Sequence, residues 1–186
     1  MIVFLGDSIF QWWDPEQYKM FSKFEPINFG VAGYTTGDII HFLEATKLHG
    51  MKPDVIVILI GTNNSDRNYT TQMTFDDIKK IIQLLWYLCP ESEIILLGIL
   101  PRGDSHLDRQ RVFNETINKM LQAECFPKNV HYTDLGFLFL KDDLTISRKI
   151  MFDGLHLTSK GYSILSETLS KLISILLGGS FLGKAN

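Results

Sequence analysis

A three-layer α/β/α domain is the fold this sequence predicts, and three observations predict it. Short runs rich in Ile, Val and Leu are apolar on both faces rather than alternating, as in buried parallel strands. Amphipathic stretches of helical period separate them. The length of 186 residues suits one domain with a sizeable core. Strand–helix alternation of this kind implies a parallel sheet covered on both sides.

The strand candidates are residues 2–5, 27–31, 54–60, 93–99 and 130–133. Helix candidates lie at 15–24, 36–49, 75–88, 107–124 and 159–177. Thr74 reads as the N-cap of the third, with Asp76 and Asp77 near its positive end. Thr158 reads as the cap of the last. We divide the chain into one domain at 1–178 and a flexible tail at 179–186.

Composition narrows the function. Apolar residues make up 45% and charged residues 21%, and the formal net charge is −3 with both signs interspersed. No basic run or aromatic–basic stripe marks a nucleic-acid surface. Cys89 and Cys125 are isolated, with neither a CxxC nor a Cys/His cluster, which suits a reduced compartment better than a disulfide framework or zinc. Met1 runs straight into Ile2-Val3-Phe4-Leu5 without a basic n-region, and no apolar stretch reaches the ~18 residues of a membrane span. The expected location is cytoplasmic.

In such a fold reactive groups belong at the carboxyl ends of the strands, near the switch point of the sheet. The first strand ends in Gly6-Asp7-Ser8. A serine here stands at a helix entrance, where free N–H groups favour developing negative charge, although it can equally be a cap. The second leads to Gly33, whose N–H could approach an oxyanion closely or simply turn the loop. The third ends in Gly61-Thr62-Asn63-Asn64, where an amide donor and an Asx turn compete; Asn64 is expected to face away from the site. Before the last helix stands Asp153-Gly154-Leu155-His156. A carboxylate three residues before a histidine in a tight turn can hold the imidazole's Nδ1–H and leave Nε2 as a base. His41, His49, His106 and His131 have no comparable acid and loop, and read as structural or solvated. Trp12, Trp13, Tyr34 and Phe152 stand near these loops, where packing competes with pocket lining.

Each signal is weak alone. Together they supply a nucleophile, a base, an orienting acid and oxyanion donors, the parts of an acyl-transfer site. No GxSxG elbow occurs, which disfavours the α/β-hydrolase arrangement.

These ordered blocks resemble the GDSL/SGNH hydrolase family over nearly the whole chain. The resemblance implies that Ser8 is the nucleophile, with Asp153 and His156 as acid and base. It also implies an oxyanion hole formed by the Ser8 N–H, the Gly33 N–H and the Asn63 side chain. Within the family the chain is most similar to the catalytic subunits of intracellular platelet-activating-factor acetylhydrolase and their bacterial relatives. Asn28-Phe29-Gly30, Gly61-Thr62-Asn63-Asn64, Gly98-Ile99-Leu100-Pro101-Arg102-Gly103 and the stretch from Met151 to Thr158 carry that similarity. It implies a flavodoxin-like five-stranded sheet in order 2-1-3-4-5, a short-chain, acetyl-type ester as substrate, no metal or other cofactor, and a homodimer. Asn64 stands where many members have Asp, and the acetylhydrolase subunits carry additional sequence before their first strand. The alternatives are a carbohydrate O-acetyl esterase or acyltransferase, a lysophospholipase-like esterase, and a binding module with a dead site. A flavin protein is disfavoured, because residues 6–12 lack a Ser/Thr-rich phosphate cradle.

Overall fold

The computed structural model describes residues 1–45, 48 and 50–183. The chain opens with β1 (Ile2–Gly6), α1 (Ser8–Gln11) and α2 (Pro15–Tyr18), then a 3-10 turn at Lys19–Phe24. It continues through β2 (Pro26–Gly30), α3 (Thr36–Glu44), β3 (Val55–Leu59) and α4 (Thr71–Leu88). The last part holds β4 (Glu93–Leu97), α5 (Arg109–Ala123), β5 (Val130–Thr133) and α6 (Ser159–Gly183). The five strands form one parallel sheet in order β2-β1-β3-β4-β5, the expected flavodoxin-like order.

Two apolar layers cover it. Because strand side chains alternate faces, Phe4, Val57 and Ile95 point one way and meet Phe10, Trp13 and Phe21 with Leu165 and Leu169 of α6. Val3, Ile56, Ile58 and Ile94 point the other way, against Ile39 and Leu43 of α3, Ile81 and Leu85 of α4 and Ile117 of α5. Burial on both faces holds for β1, β3 and nearly all of β4. It does not hold for β2 and most of β5, which are half-buried because they form the sheet's edges.

Several boundaries differ from expectation. Residues 15–24 split into α2 and the 3-10 turn, and α1 is an additional helix. Helix α3 stops at Glu44; His49 of the expected 36–49 helix lies outside the described residues. Helix α4 begins a turn early, because Thr70 is its cap and accepts from Met73 N at 3.1 Å. Thr74 lies inside the helix and bonds back to the Thr70 carbonyl at 3.0 Å. Helix α6 runs past Leu177 to Gly183, into the expected tail, while residues 184–186 of that tail lie outside the described residues. Thr158 does cap α6, accepting from Gly161 N at 3.3 Å.

Two glycines let α1 lie close over the sheet. A Cβ on Gly6 would come 2.9 Å from the Phe10 ring, and one on Gly30 would come 2.4 Å from Gln11 N. Asn28 fastens the contact, donating to Phe10 O at 2.7 Å while accepting from Gly30 N at 2.8 Å.

Candidate active site

Ser8 is the first residue of α1, with only Asp7 between it and β1, an interior strand of the sheet. Asp7 caps the helix, its Oδ1 accepting from Ile9 N at 3.0 Å. The Ser8 N–H therefore belongs to the first helical turn, where backbone donors lack intrahelical acceptors.

The turn before α6 brings the remaining pair to this serine. Phe152 N donates to His156 O at 3.1 Å, and Met151 bridges Leu157. Inside the turn Asp153 Oδ1 accepts from Leu155 N at 2.9 Å and His156 N at 2.7 Å. Its Oδ2 lies 2.6 Å from His156 Nδ1. Burial raises the Asp153 pKa, but the hydrogen bonds from the His156 backbone and ring and from Leu155 N outweigh it and hold the carboxyl below its usual value. An ionised carboxylate only accepts, so Nδ1 carries the ring proton and Nε2 offers a lone pair. Ser8 Oγ lies 3.1 Å from Nε2, placed to donate its hydroxyl proton. Ser8, His156 and Asp153 are thus joined in one chain, although 148 residues separate the first two.

Gly33 and Asn63 share a second locus. Gly33 has φ +79°, with nothing within 4 Å of where a Cβ would sit. Asn63, in a 3-10 turn at Thr62–Asp66 after β3, donates through Nδ2 to Tyr34 O at 2.9 Å. One amide hydrogen is thereby spent on the Gly33 loop and the other is left for a further acceptor. Asn64, as expected, faces elsewhere. It is fully buried, accepts from Thr36 N at 3.1 Å, and donates to Thr36 Oγ1 at 2.6 Å and Thr74 Oγ1 at 3.1 Å. It joins the start of α3 to α4.

A family model described as GDSL-like Lipase/Acylhydrolase family matches residues 4–164. The chain belongs to this family. It is 37% identical over 182 residues to platelet-activating factor acetylhydrolase IB subunit alpha2 of Homo sapiens, covering 95% of this chain and 77% of that one. The alpha1 subunit of Mus musculus is 33% identical over 180 residues, covering 95% and 76%. Among solved structures, a GDSL-like lipase from Bacteroides thetaiotaomicron superposes with a TM-score of 0.80 at 19% identity, covering 93% of this chain and 87% of that one; this likeness is one of fold. The family makes the chain a carboxylic ester hydrolase.

The candidate site rests on supports to which motif reading assigned no role. Asp7 is buried beside the serine, and burial pushes its carboxyl up to about 7, against the opposing backbone hydrogen bond from Ile9 and the charge of Arg102. Arg102 donates to Thr62 O at 3.2 Å and pairs with Asp66 at 3.0 Å. Arg111 Nε holds the Arg102 carbonyl at 3.1 Å, its guanidinium fully buried. Gly103 N donates to Gly154 O at 2.8 Å. The Gly98–Gly103 stretch was visible in the sequence as a resemblance, and the one signal of its role was its place after the fourth strand.

Of the aromatic residues singled out, Trp13 is core: its indole donates to the buried Ser166 Oγ at 2.8 Å. Tyr34 is half-buried against the second apolar layer. Trp12 and Phe152 are exposed and border His156, with ring centroids 4.4 Å and 5.9 Å away. His131 does have an acid partner, Glu93 Oε2 at 2.7 Å: the register sets His131 beside Ile95, and Glu93, two residues earlier on the same face of β4, reaches it diagonally. Glu93 begins its strand, at the end of the sheet opposite Ser8. His41 bonds Gly37 O at 2.8 Å and His106 is exposed. Among the described residues no group of three or more His, Cys, Asp or Glu could hold a metal, and no helix is long and apolar enough to cross a membrane.

Proposed function

We propose that the chain hydrolyses a short-chain, acetyl-type ester through Ser8, His156 and Asp153, in the manner of a platelet-activating-factor acetylhydrolase. The observation that carries this reading is the continuous chain from Ser8 Oγ to His156 Nε2 at 3.1 Å and from His156 Nδ1 to Asp153 Oδ2 at 2.6 Å. The acetylhydrolase names of the 33–37% identical relatives support the acyl size.

Ser8 Oγ attacks the ester carbonyl as its proton passes to His156 Nε2. Asp153 holds the resulting imidazolium. The Ser8 N–H, the Gly33 N–H and the free hydrogen of the Asn63 amide stabilise the oxyanion. His156 returns its proton to the leaving alkoxide, and water, deprotonated by the same imidazole, releases the acid from Ser8. The two free cysteines fit a cytoplasmic setting, and the resemblance to the acetylhydrolase subunits supports a homodimer, which light scattering tests.

A fluorophosphonate should label Ser8 stoichiometrically and abolish p-nitrophenyl acetate hydrolysis. Labelling that persists in Ser8→Ala would place the nucleophile elsewhere. Across p-nitrophenyl esters kcat/KM should fall from acetate to octanoate; a rising series would favour a lysophospholipase-like enzyme.

A further inference from the structure

Two large aromatic side chains stand exposed where buried packing does not require them. Trp12, the residue that ends α1, is 50% exposed, and Phe152, which opens the Asp153 turn, is 56% exposed. Both rings adjoin the imidazole of His156: Trp12 at 4.4 Å with a 44° tilt, Phe152 at 5.9 Å and 23° from parallel. Neither is the aromatic that fills the core at this end of the sheet, since that place belongs to Trp13, 6% exposed and tied to Ser166.

Position tells which part of a substrate they meet. In ester hydrolysis through His156, Nε2 must reach the oxygen of the departing alcohol to protonate it, so the alcohol lies against the imidazole and the surfaces beside it. The acyl group hangs from the same carbon, on the side away from the proton donor. Rings that touch the imidazole therefore border the alcohol. Their exposed faces are apolar and flat, suited to stacking on a ring of similar shape. An aromatic face also attracts cations. Here, however, the imidazole beside both rings becomes positive as it takes the serine proton, and a quaternary ammonium in the same place would meet like charge.

We infer that Trp12 and Phe152 form a platform for the alcohol part of the ester, selecting alcohols with an uncharged ring, a flat aryl group or the C–H face of a pyranose, over short alkyl and cationic alcohols. The inference rests on the esterase reading above and adds to it the class of leaving group.

The test compares wild type, Trp12→Ala, Trp12→Phe and Phe152→Ala on four acetates: phenyl acetate, a methyl xylopyranoside monoacetate, ethyl acetate and acetylcholine. Intrinsic reactivity cancels when each variant is divided by wild type on the same substrate. Trp12→Ala should lower selectivity for the two ring acetates over ethyl acetate by about tenfold, mainly through KM, with Phe152→Ala showing a smaller loss in the same direction. Trp12→Phe should restore most of it. Loss confined to phenyl or to pyranosyl acetate would tell which ring the platform serves. An unchanged selectivity ratio, even with lower absolute rates, would make the rings mere packing for His156 and overturn the inference while leaving the esterase intact. A loss greatest on acetylcholine would overturn it in favour of a cation site. Wild type inert on all four acetates would remove the esterase reading and the platform with it.

Discussion

The backbone N–H of Gly103 donates to the carbonyl oxygen of Gly154 over 2.8 Å, joining the loop after β4 to the turn that carries Asp153 and His156. Gly103 has φ +83°, and a Cβ there would come 2.3 Å from Asp108 Oδ2, the oxygen that accepts from Ser105 N. Alanine would be strained by about 1–2 kcal/mol in this left-handed conformation and would also displace Asp108. We expect Gly103→Ala to lower the melting temperature by a few degrees. Its kcat should fall about 10–100-fold, because a small misplacement of His156 is costly. Wild-type kcat with an unchanged melting temperature would show that the two loops do not depend on each other.

The proposed roles of His156 and Asp153 separate by size of effect. His156→Ala removes the proton acceptor itself and should cost on the order of 10⁶ in kcat. Asp153→Asn keeps an oxygen for the Leu155 and His156 N–H groups, so the turn should persist. Its amide, however, would present a donor to Nδ1 and favour the wrong tautomer, costing on the order of 10⁴. Activity lost in His131→Ala or His106→Ala but kept in His156→Ala would sink the assignment.

What could be read from the sequence depended on how local each signal was. The central strands are legible because burial on two faces writes an unbroken apolar run, as in Val55–Leu59. The edge positions of β2 and β5 follow from the strand order, which the family resemblance implies and their own residues do not. Helix α1 is four residues long, too short to show a period. Thr70 and Thr74 are both capping residue types, and only the hydrogen bonding distinguishes the cap from the residue that bonds back to it. The four site blocks could be found because each pairs a reactive residue with a turn glycine or a nearby acid. Arg102, Arg111 and the Glu93–His131 pair could not, since their partners are set by tertiary approach and strand register.

Asp7 makes stability depend on pH. Burial penalises the charged form and pushes its folded carboxyl up from the usual 3.8 to about 7. Below the lower value both folded and unfolded chains hold the proton. As pH rises toward 7 the unfolded chain releases it first, so the stability contribution is lost through the folded pKa. The difference is on the order of 4 kcal/mol at most. Asp7→Asn keeps an oxygen for Ile9 N and removes the titration. Its melting temperature should match wild type near pH 4 and exceed it increasingly up to pH 8. Parallel melting curves for the two proteins across that range would contradict this.

Asn63 and Asn64 are neighbours with opposite expected consequences. Asn63 is half-buried and its side chain makes one hydrogen bond among the described residues, to Tyr34 O, so its loss should leave the fold standing. If its free amide hydrogen meets the oxyanion, Asn63→Ala loses an interaction made in the transition state and little in the ground state. The expected cost is about 10²–10³ in kcat, with KM and melting temperature little changed. Asn64 offers no such hydrogen: its side chain is committed to Thr36 and Thr74. The sequence alone turns Asn64 away from the site, and for kcat of the folded enzyme Asn64→Ala should be the milder change. For stability the order reverses. Truncation strands the Thr36 N–H and removes bonds to two hydroxyls in a fully buried place, roughly 2–4 kcal/mol and a fall of about 5–15 °C in melting temperature. Measuring kcat and thermal unfolding on both variants separates the roles. A folded Asn63→Ala enzyme with near-wild-type kcat would remove Asn63 from the oxyanion hole and leave its bond to Tyr34 as its whole purpose.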